Sequence, residues 1–154
     1  MDGLSAFEPR IVAFLCRWCA GAGADLAGTS RLKYPPNAIP IRVNCSGRID
    51  PAWVVDALRS GADGVFIGGC HPGDCHYVSG NFKARRRVYL LRKVLADLGV
   101  EPERVRLEWV SATEAARFAR LMDAFVAEIR ALGPGPYARS ATTAPVASSH
   151  PRPG

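Results

Sequence analysis

Three short apolar runs in this sequence each give way to a cysteine. Residues 11–15 are followed by Cys16, residues 39–43 by Asn44 and Cys45, and residues 65–69 by Cys70. Runs of this length, bounded by loop residues, read as strands of a sheet. Cys19 and Cys75 come one short loop after Cys16 and Cys70. Helical spacing fills the stretches between the runs. The order β-α-β-α-β-α-β-α implies a parallel sheet with helices on both faces. In such a sheet the carboxyl ends of the strands share one edge, where ligands bind. The expected fold therefore gathers thiols from distant parts of the chain into one place.

Local signals set the expected elements. The first strand ends at Leu15. Ala20-Gly21-Ala22-Gly23-Ala24-Asp25 reads as a close-approach loop, then a short helix through Leu32 that Tyr34-Pro35-Pro36-Asn37 breaks. The second strand ends at Asn44 and Cys45. Asp50 is an N-cap signal with Pro51 at the first helical position; Trp53, Val54, Ala57 and Leu58 follow, and Gly61 closes the helix. The third strand starts after Gly64. A long helix over residues 81–98 carries a core stripe of Val88, Leu91, Leu95 and Leu98, capped by Gly99. The fourth strand spans residues 105–110. Ser111 and Glu114 form a capping box for a last helix with Ala115, Phe118, Met122, Phe125, Ile129 and Leu132 on one face. Right-handed crossovers leave few topologies. The expectation is an α/β fold: one doubly wound four-stranded parallel sheet in the flavodoxin-like order 2-1-3-4, with Cys16 central and Cys45 and Cys70 beside it.

Three segments follow: a lead-in over 1–9, one α/β domain over 10–132, and a tail over 133–154. The tail is rich in Pro, Ser, Thr and Ala and lacks the apolar residues for a core, so disorder or partner-bound order is expected there. No apolar run approaches the ~20 residues of a membrane span. The start lacks the features of a signal peptide, which points to the cytoplasm, where thiols stay reduced. Five cysteines, an odd number, also fit poorly with a closed disulfide framework.

The net charge of +6 is concentrated on the long helix, at Lys83, Arg85-Arg86-Arg87 and Arg92-Lys93. No nucleic-acid motif accompanies it, so no nucleic-acid partner is expected. A solvated helix face or a docking surface for an acidic partner protein remains. Walker A and dinucleotide loops are absent; Gly21-Ala22-Gly23 lacks the third glycine. No acid/base pair and no Ser/His/Asp set is present.

The chemistry lies with the cysteines. Cys16-Arg17-Trp18-Cys19 is a Cys-x-x-Cys, a spacing that thiol–disulfide oxidoreductases also use. Cys70 and Cys75 are a Cys-x4-Cys in a loop with Gly68, Gly69 and Gly73, which can wrap a bulky centre. Four thiolates suit zinc or an iron–sulfur cluster. A domain with a full core needs no zinc clip, which favours the cluster. The spacing is not that of plant-type ferredoxins. Cys16, Cys19, Cys70 and Cys75 are the plainer ligand set, and the strand-end position keeps Cys45 as a fifth candidate. His71 and His76 read as loop hydrogen-bonders or tuning groups, Trp18 and Tyr77 as shields or ordinary packing. Arg48 is a candidate donor to a cluster sulfur or a partner carboxylate. A dithiol oxidoreductase using Cys16 and Cys19, and a structural zinc scaffold, are the alternatives.

Beyond spacing, the segments themselves carry a likeness. Cys16-Arg17-Trp18-Cys19, residues 24–31, Tyr34-Pro35-Pro36, residues 43–48 and residues 63–77 resemble the delta subunit of methyl-viologen-reducing hydrogenase, over about residues 10–129. The resemblance implies a small iron–sulfur subunit with a 2Fe–2S cluster. It further implies relay of electrons between a hydrogenase or formate dehydrogenase module and the flavin-containing subunit of heterodisulfide reductase, where flavin-based electron bifurcation occurs. Cys16, Cys19, Cys45, Cys70 and Cys75 all match the family pattern; the tail after Gly133 does not belong to it. The subunit would have no substrate chemistry of its own.

Overall fold

Parallel pairing of four strands organises the chain, seen in a computed structural model that describes residues 6–138. Strands β1 (Ile11–Cys16), β2 (Ala38–Val43), β3 (Gly64–Gly69) and β4 (Val105–Trp109) alternate with helices α1 (Ala20–Thr29), α2 (Pro51–Arg59), α3 (Gly80–Asp97) and α4 (Ala115–Leu132). The sheet order is β2-β1-β3-β4, all parallel, as expected. Short 3-10 turns cover Ser46–Arg48 and Pro102–Arg104.

The strands sort their side chains by alternation. Ile11, Ala13, Leu15 and Phe66 join a core with Phe118, Met122, Phe125 and Ile129 of α4. Phe14, Val65 and Ile67 face the other way, onto Val54, Leu58, Val88, Leu91 and Leu95 of α2 and α3. Both faces of the central strands are thus covered, as a doubly wound parallel sheet requires. Edge strand β2 leaves Ile39 and Ile41 exposed. Its Pro40 sits where an edge tolerates a missing N–H.

Several local expectations hold. Asp50 accepts the Ala52 N–H at 2.8 Å with Pro51 opening α2. Gly61 and Gly99 take positive φ after α2 and α3, at 104° and 78°.

Others are corrected. Residues 20–25 are not a loop: α1 begins at Ala20 and ends at Thr29, short of Leu32. Its glycines serve close packing, since a Cβ on Gly21 would lie 3.0 Å from the Cys16 carbonyl oxygen and one on Gly23 2.9 Å from that of Ser111. Leu98 is 70% exposed and leaves the α3 stripe to Val88, Leu91 and Leu95. The helix has ended by then, so Leu98 turns away from the sheet. The capping box is half formed. Glu114 accepts the Ser111 N–H at 2.9 Å, but the Ser111 hydroxyl pairs with Thr113, and α4 starts only at Ala115.

At the amino-terminal edge of the sheet, opposite the cysteines, the buried Arg104 donates to the carbonyls of Asp63, Gly133 and Pro134 and to Glu101. Asp63 accepts the N–H groups of Arg10 and Gly135 at 2.8 and 2.7 Å. Residues 133–135, read from sequence as the start of the tail, are thereby tied to the domain. Residues 1–5 and 139–154, which hold most of the lead-in and tail, lie outside the described residues. Among the described residues, no helix is long and apolar enough to cross a membrane.

Candidate metal centre

Strand register brings the thiols together. Cys16 closes β1 opposite Val43, and Leu15 pairs with Gly68 of β3. The chain segments leaving β1, β2 and β3 therefore emerge side by side, carrying Cys16, Cys45 and Cys70. Cys19 stands at the start of α1, where its carbonyl accepts the Gly23 N–H. Cys75 lies in the loop before α3. All five are buried and unbridged.

Their sulfurs fall into a triad and a pair. Cys16, Cys19 and Cys70 lie within 4.8 Å of one another, and Cys16 and Cys70 are 3.7 Å apart. Cys45 and Cys75 are 3.8 Å apart. Two thiolates on one tetrahedral metal, with bonds of about 2.3 Å, would be separated by about 3.8 Å. Cys45 thus pairs with Cys75, outside the Cys16–Cys19–Cys70 triad.

The backbone packs closely against Cys45 and Cys75 at Gly47 and Gly80. The Gly47 N–H donates to Cys45 Sγ at 3.4 Å. A Cβ on Gly80 would run into Cys45 Sγ and lie 3.3 Å from Cys75 Sγ. Asn81, fully buried, donates to the carbonyls of Cys70 and His71 at 3.1 and 2.9 Å, holding the Cys70 loop onto the first turn of α3. The first turn of a helix favours negative charge through its free N–H groups and dipole.

The thiols differ in acidity accordingly. Burial raises Cys75, but the backbone N–H groups of Asn81, Tyr77 and Gly80 outweigh it and hold the thiol below its ordinary value. A hydrogen bond from Cys19 lowers Cys16 to about 6, against the cost of burial. The same bond, with burial, raises Cys19 well above the usual range. Burial raises Cys45, and it raises Cys70 to about 11.

Around this cluster the expected flanking residues take definite places. His71 Nε2 pairs with the Glu114 carboxylate. Trp18 stacks on His76 with centroids 3.9 Å apart and planes 13° from parallel, and Tyr77 meets the edge of His76. Trp18 and Tyr77 remain 44% and 51% exposed, so they rim the site and do not seal it. Arg48 lies at the mouth of a cavity of about 350 Å³ beside Cys45, Gly80 and Lys83. Among the described residues it makes no hydrogen bond to a sulfur. A second cavity, of about 260 Å³, opens beside Cys19 and Cys70.

Sequence reading placed Gly47 in the turn around Cys45 but missed its approach to Gly80, and it missed the roles of Gly80, Asn81 and the Glu114–His71 pair. Their only signal was proximity to a cysteine or to a helix start; the contacts of Gly47 with Gly80, of Asn81 with the Cys70 loop and of Glu114 with His71 join separate segments.

A set of five buried, unbridged thiols with backbone donors is suited to a soft metal or an iron–sulfur centre. The sequence matches the family described as methyl-viologen-reducing hydrogenase, delta subunit, over residues 11–133. It is 55% identical over 133 residues to an iron-sulfur subunit of the F420-non-reducing hydrogenase of Archaeoglobus profundus, covering 86% of this chain and 97% of that protein. It is 54% identical over 128 residues to the vhc iron-sulfur subunit of an F420-non-reducing hydrogenase of Methanococcus voltae, covering 83% and 89%. It is also 48% identical over 126 residues to one subunit of the ferredoxin/F(420)H(2)-dependent CoB-CoM heterodisulfide reductase of Methanosarcina acetivorans, covering 82% of this chain but 16% of that protein.

Proposed function

This chain belongs to the methyl-viologen-reducing hydrogenase delta subunit family, and from that premise we propose that it is a 2Fe–2S electron-transfer subunit. It relays electrons between a hydrogenase or formate dehydrogenase module and the flavin-containing subunit of a heterodisulfide-reductase-type complex.

The observation that carries this reading is the grouping of the thiols. Two sulfur pairs at 3.7 and 3.8 Å match two irons, each taking two thiolates. Cys45 and Cys75 would hold one iron, and Cys16 and Cys70 the other. Cys19 would then be the fifth thiol, hydrogen-bonded to Cys16 and Cys70. When bound, a 2Fe–2S cluster supplies one-electron redox chemistry. The chain's own residues bury the centre, and the N–H groups at the start of α3 and of Gly47 stabilise negative charge on the sulfurs.

The relatives' names support the partners. Two are iron-sulfur subunits of hydrogenases. In the Methanosarcina acetivorans protein, the equivalent domain is one part of a longer heterodisulfide reductase polypeptide, so the two are joined covalently there. Five unbridged thiols fit the reducing cytoplasm.

One observation favours a second reading. Cys16, lowered to about 6 beside Cys19, has the character of an attacking thiol in a dithiol oxidoreductase. Anaerobic purification with iron, zinc and sulfide analysis, and visible and EPR spectra before and after dithionite, separates the readings. Matched iron and sulfide with an EPR signal on reduction is expected. A colourless protein with a titratable dithiol, or one zinc without sulfide, sinks the proposal.

A further inference from the structure

We infer that the outward face of α3 is the docking surface for an acidic, apolar-centred surface of a redox-partner protein, seated beside the Cys45–Cys75 end of the thiol cluster. The inference rests on the electron-transfer reading above and adds where, and by what chemistry, a partner is held.

Helix α3 buries only a narrow stripe, chiefly Ala84, Val88, Leu91 and Leu95. Its other faces are open. They carry six cations, Lys83, Arg85, Arg86, Arg87, Arg92 and Lys93, against one carboxylate, Asp97. This one helix thus accounts for most of the chain's net charge of +6.

Elsewhere several arginines are matched to acids, Arg42 to Asp25, Arg104 to Glu101, Arg106 to Glu128 and Arg130 to Glu8, while others such as Arg31, Arg48, Arg59 and Arg120 stand singly on different elements. Among the described residues no carboxylate forms an ion pair with any of the six α3 cations. Arg87 is engaged with the Gly47 carbonyl and Arg92 with that of Pro102. Lys83, Arg85 and Arg86 have no hydrogen-bond partner among the described residues. Unmatched like charges spaced along one helix repel each other, and an acidic surface relieves that repulsion.

The same face is not simply solvated. Phe82, Leu90 and Val94 are 42%, 61% and 53% exposed between those cations. A helix with one water-facing side places polar residues there. Apolar side chains ringed by cations are instead the composition of a protein interface with a charged rim. Phosphate would satisfy the cations but leave Leu90 and Val94 in water, which favours protein over nucleic acid.

The face also adjoins the thiols. The first turn of α3 touches Cys45 and Cys75 through Gly80, and Lys83 borders the cavity beside Cys45. A partner on Phe82, Lys83 and Arg86 would therefore cover that mouth and bring its own redox centre toward these two thiols.

The test uses the full-length, cluster-loaded chain and its own purified heterodisulfide-reductase-type and hydrogenase partners, with anaerobic binding measured at low and high salt. Two variants are compared, Arg85→Glu/Arg86→Glu and Leu90→Ser/Val94→Ser, with Arg59→Glu/Arg120→Glu as an off-face control. The expected result is binding to one partner weakened about tenfold or more in both variants, with the charge-reversal loss shrinking at high salt and the control unchanged. Unchanged binding to both partners overturns the inference. So does loss of RNA binding, in the charge-reversal variant, without loss of partner binding. Visible and EPR spectra of the wild-type chain test the electron-transfer reading separately from these affinities.

Discussion

Gly47 and Gly80 meet backbone to backbone beside the thiols: a Cβ on Gly47 would lie 2.6 Å from Gly80 Cα. No side chain fits at either position, because a Cβ on Gly80 would occupy the place of Cys45 Sγ. Gly80→Ala should therefore displace Cys45 and lower bound iron severalfold. Gly73→Ala is the contrast. Its φ of 93° makes it strained, but the space around it is open, so it should cost about 1 kcal/mol of stability and leave iron content intact. Iron and sulfide per chain, read beside a denaturation curve, distinguish the two outcomes.

The pairing of sulfurs predicts unequal cysteines. Cys45→Ala, placed at one end of the 3.8 Å pair with Cys75, should lose most of the iron and the reduced-state EPR signal. Cys19→Ala should keep both, with altered line shape, because its thiol is the fifth in the set. A Cys45→Ala protein with full iron content would refute the assignment.

Arg104 lies far from the thiols, and its removal should affect stability alone. Arg104→Met strips donors from the carbonyls of Asp63, Gly133 and Pro134. Only the Asp63 carbonyl is fully buried, and a buried acceptor left without a partner costs about 1–3 kcal/mol, so a loss of that order is expected in denaturant titration. The visible spectrum of the fraction still folded should match wild type.

Glu114 carries a pH signature. The Ser111 N–H, and after it His71, lowers its carboxyl from 4.5 to about 2. A group lowered on folding contributes stability above its unfolded value and loses it as pH falls through its folded one. The stability gap between wild type and Glu114→Gln should be fully present above about pH 4.5 and narrow toward pH 2. A gap that stays constant over that range would rule out the carboxylate as its source.

Local chemistry made much of the fold legible. The cap at Asp50 and the α4 stripe from Phe118 to Ile129 depend on neighbours within a turn or two, and they occur as read. Gly21 and Gly23 at the start of α1 misled, because the low helix preference of glycine is overridden by close packing against the Cys16 and Ser111 carbonyls. Those atoms belong to other elements, and nothing within the stretch announces them.

The sequence by itself determined that five thiols would gather at one sheet edge, since strand runs ending in cysteine and a parallel βα order leave no other place for Cys16, Cys45 and Cys70. Only the tertiary structure decided how they divide: Cys45 with Cys75, and Cys16 with Cys19 and Cys70. That division depends on angstrom-scale approach of segments far apart in the chain, on the contact of Gly47 with Gly80 and on Asn81 holding the Cys70 loop. Spacing along a chain sets which residues can reach one another; packing sets which of them do.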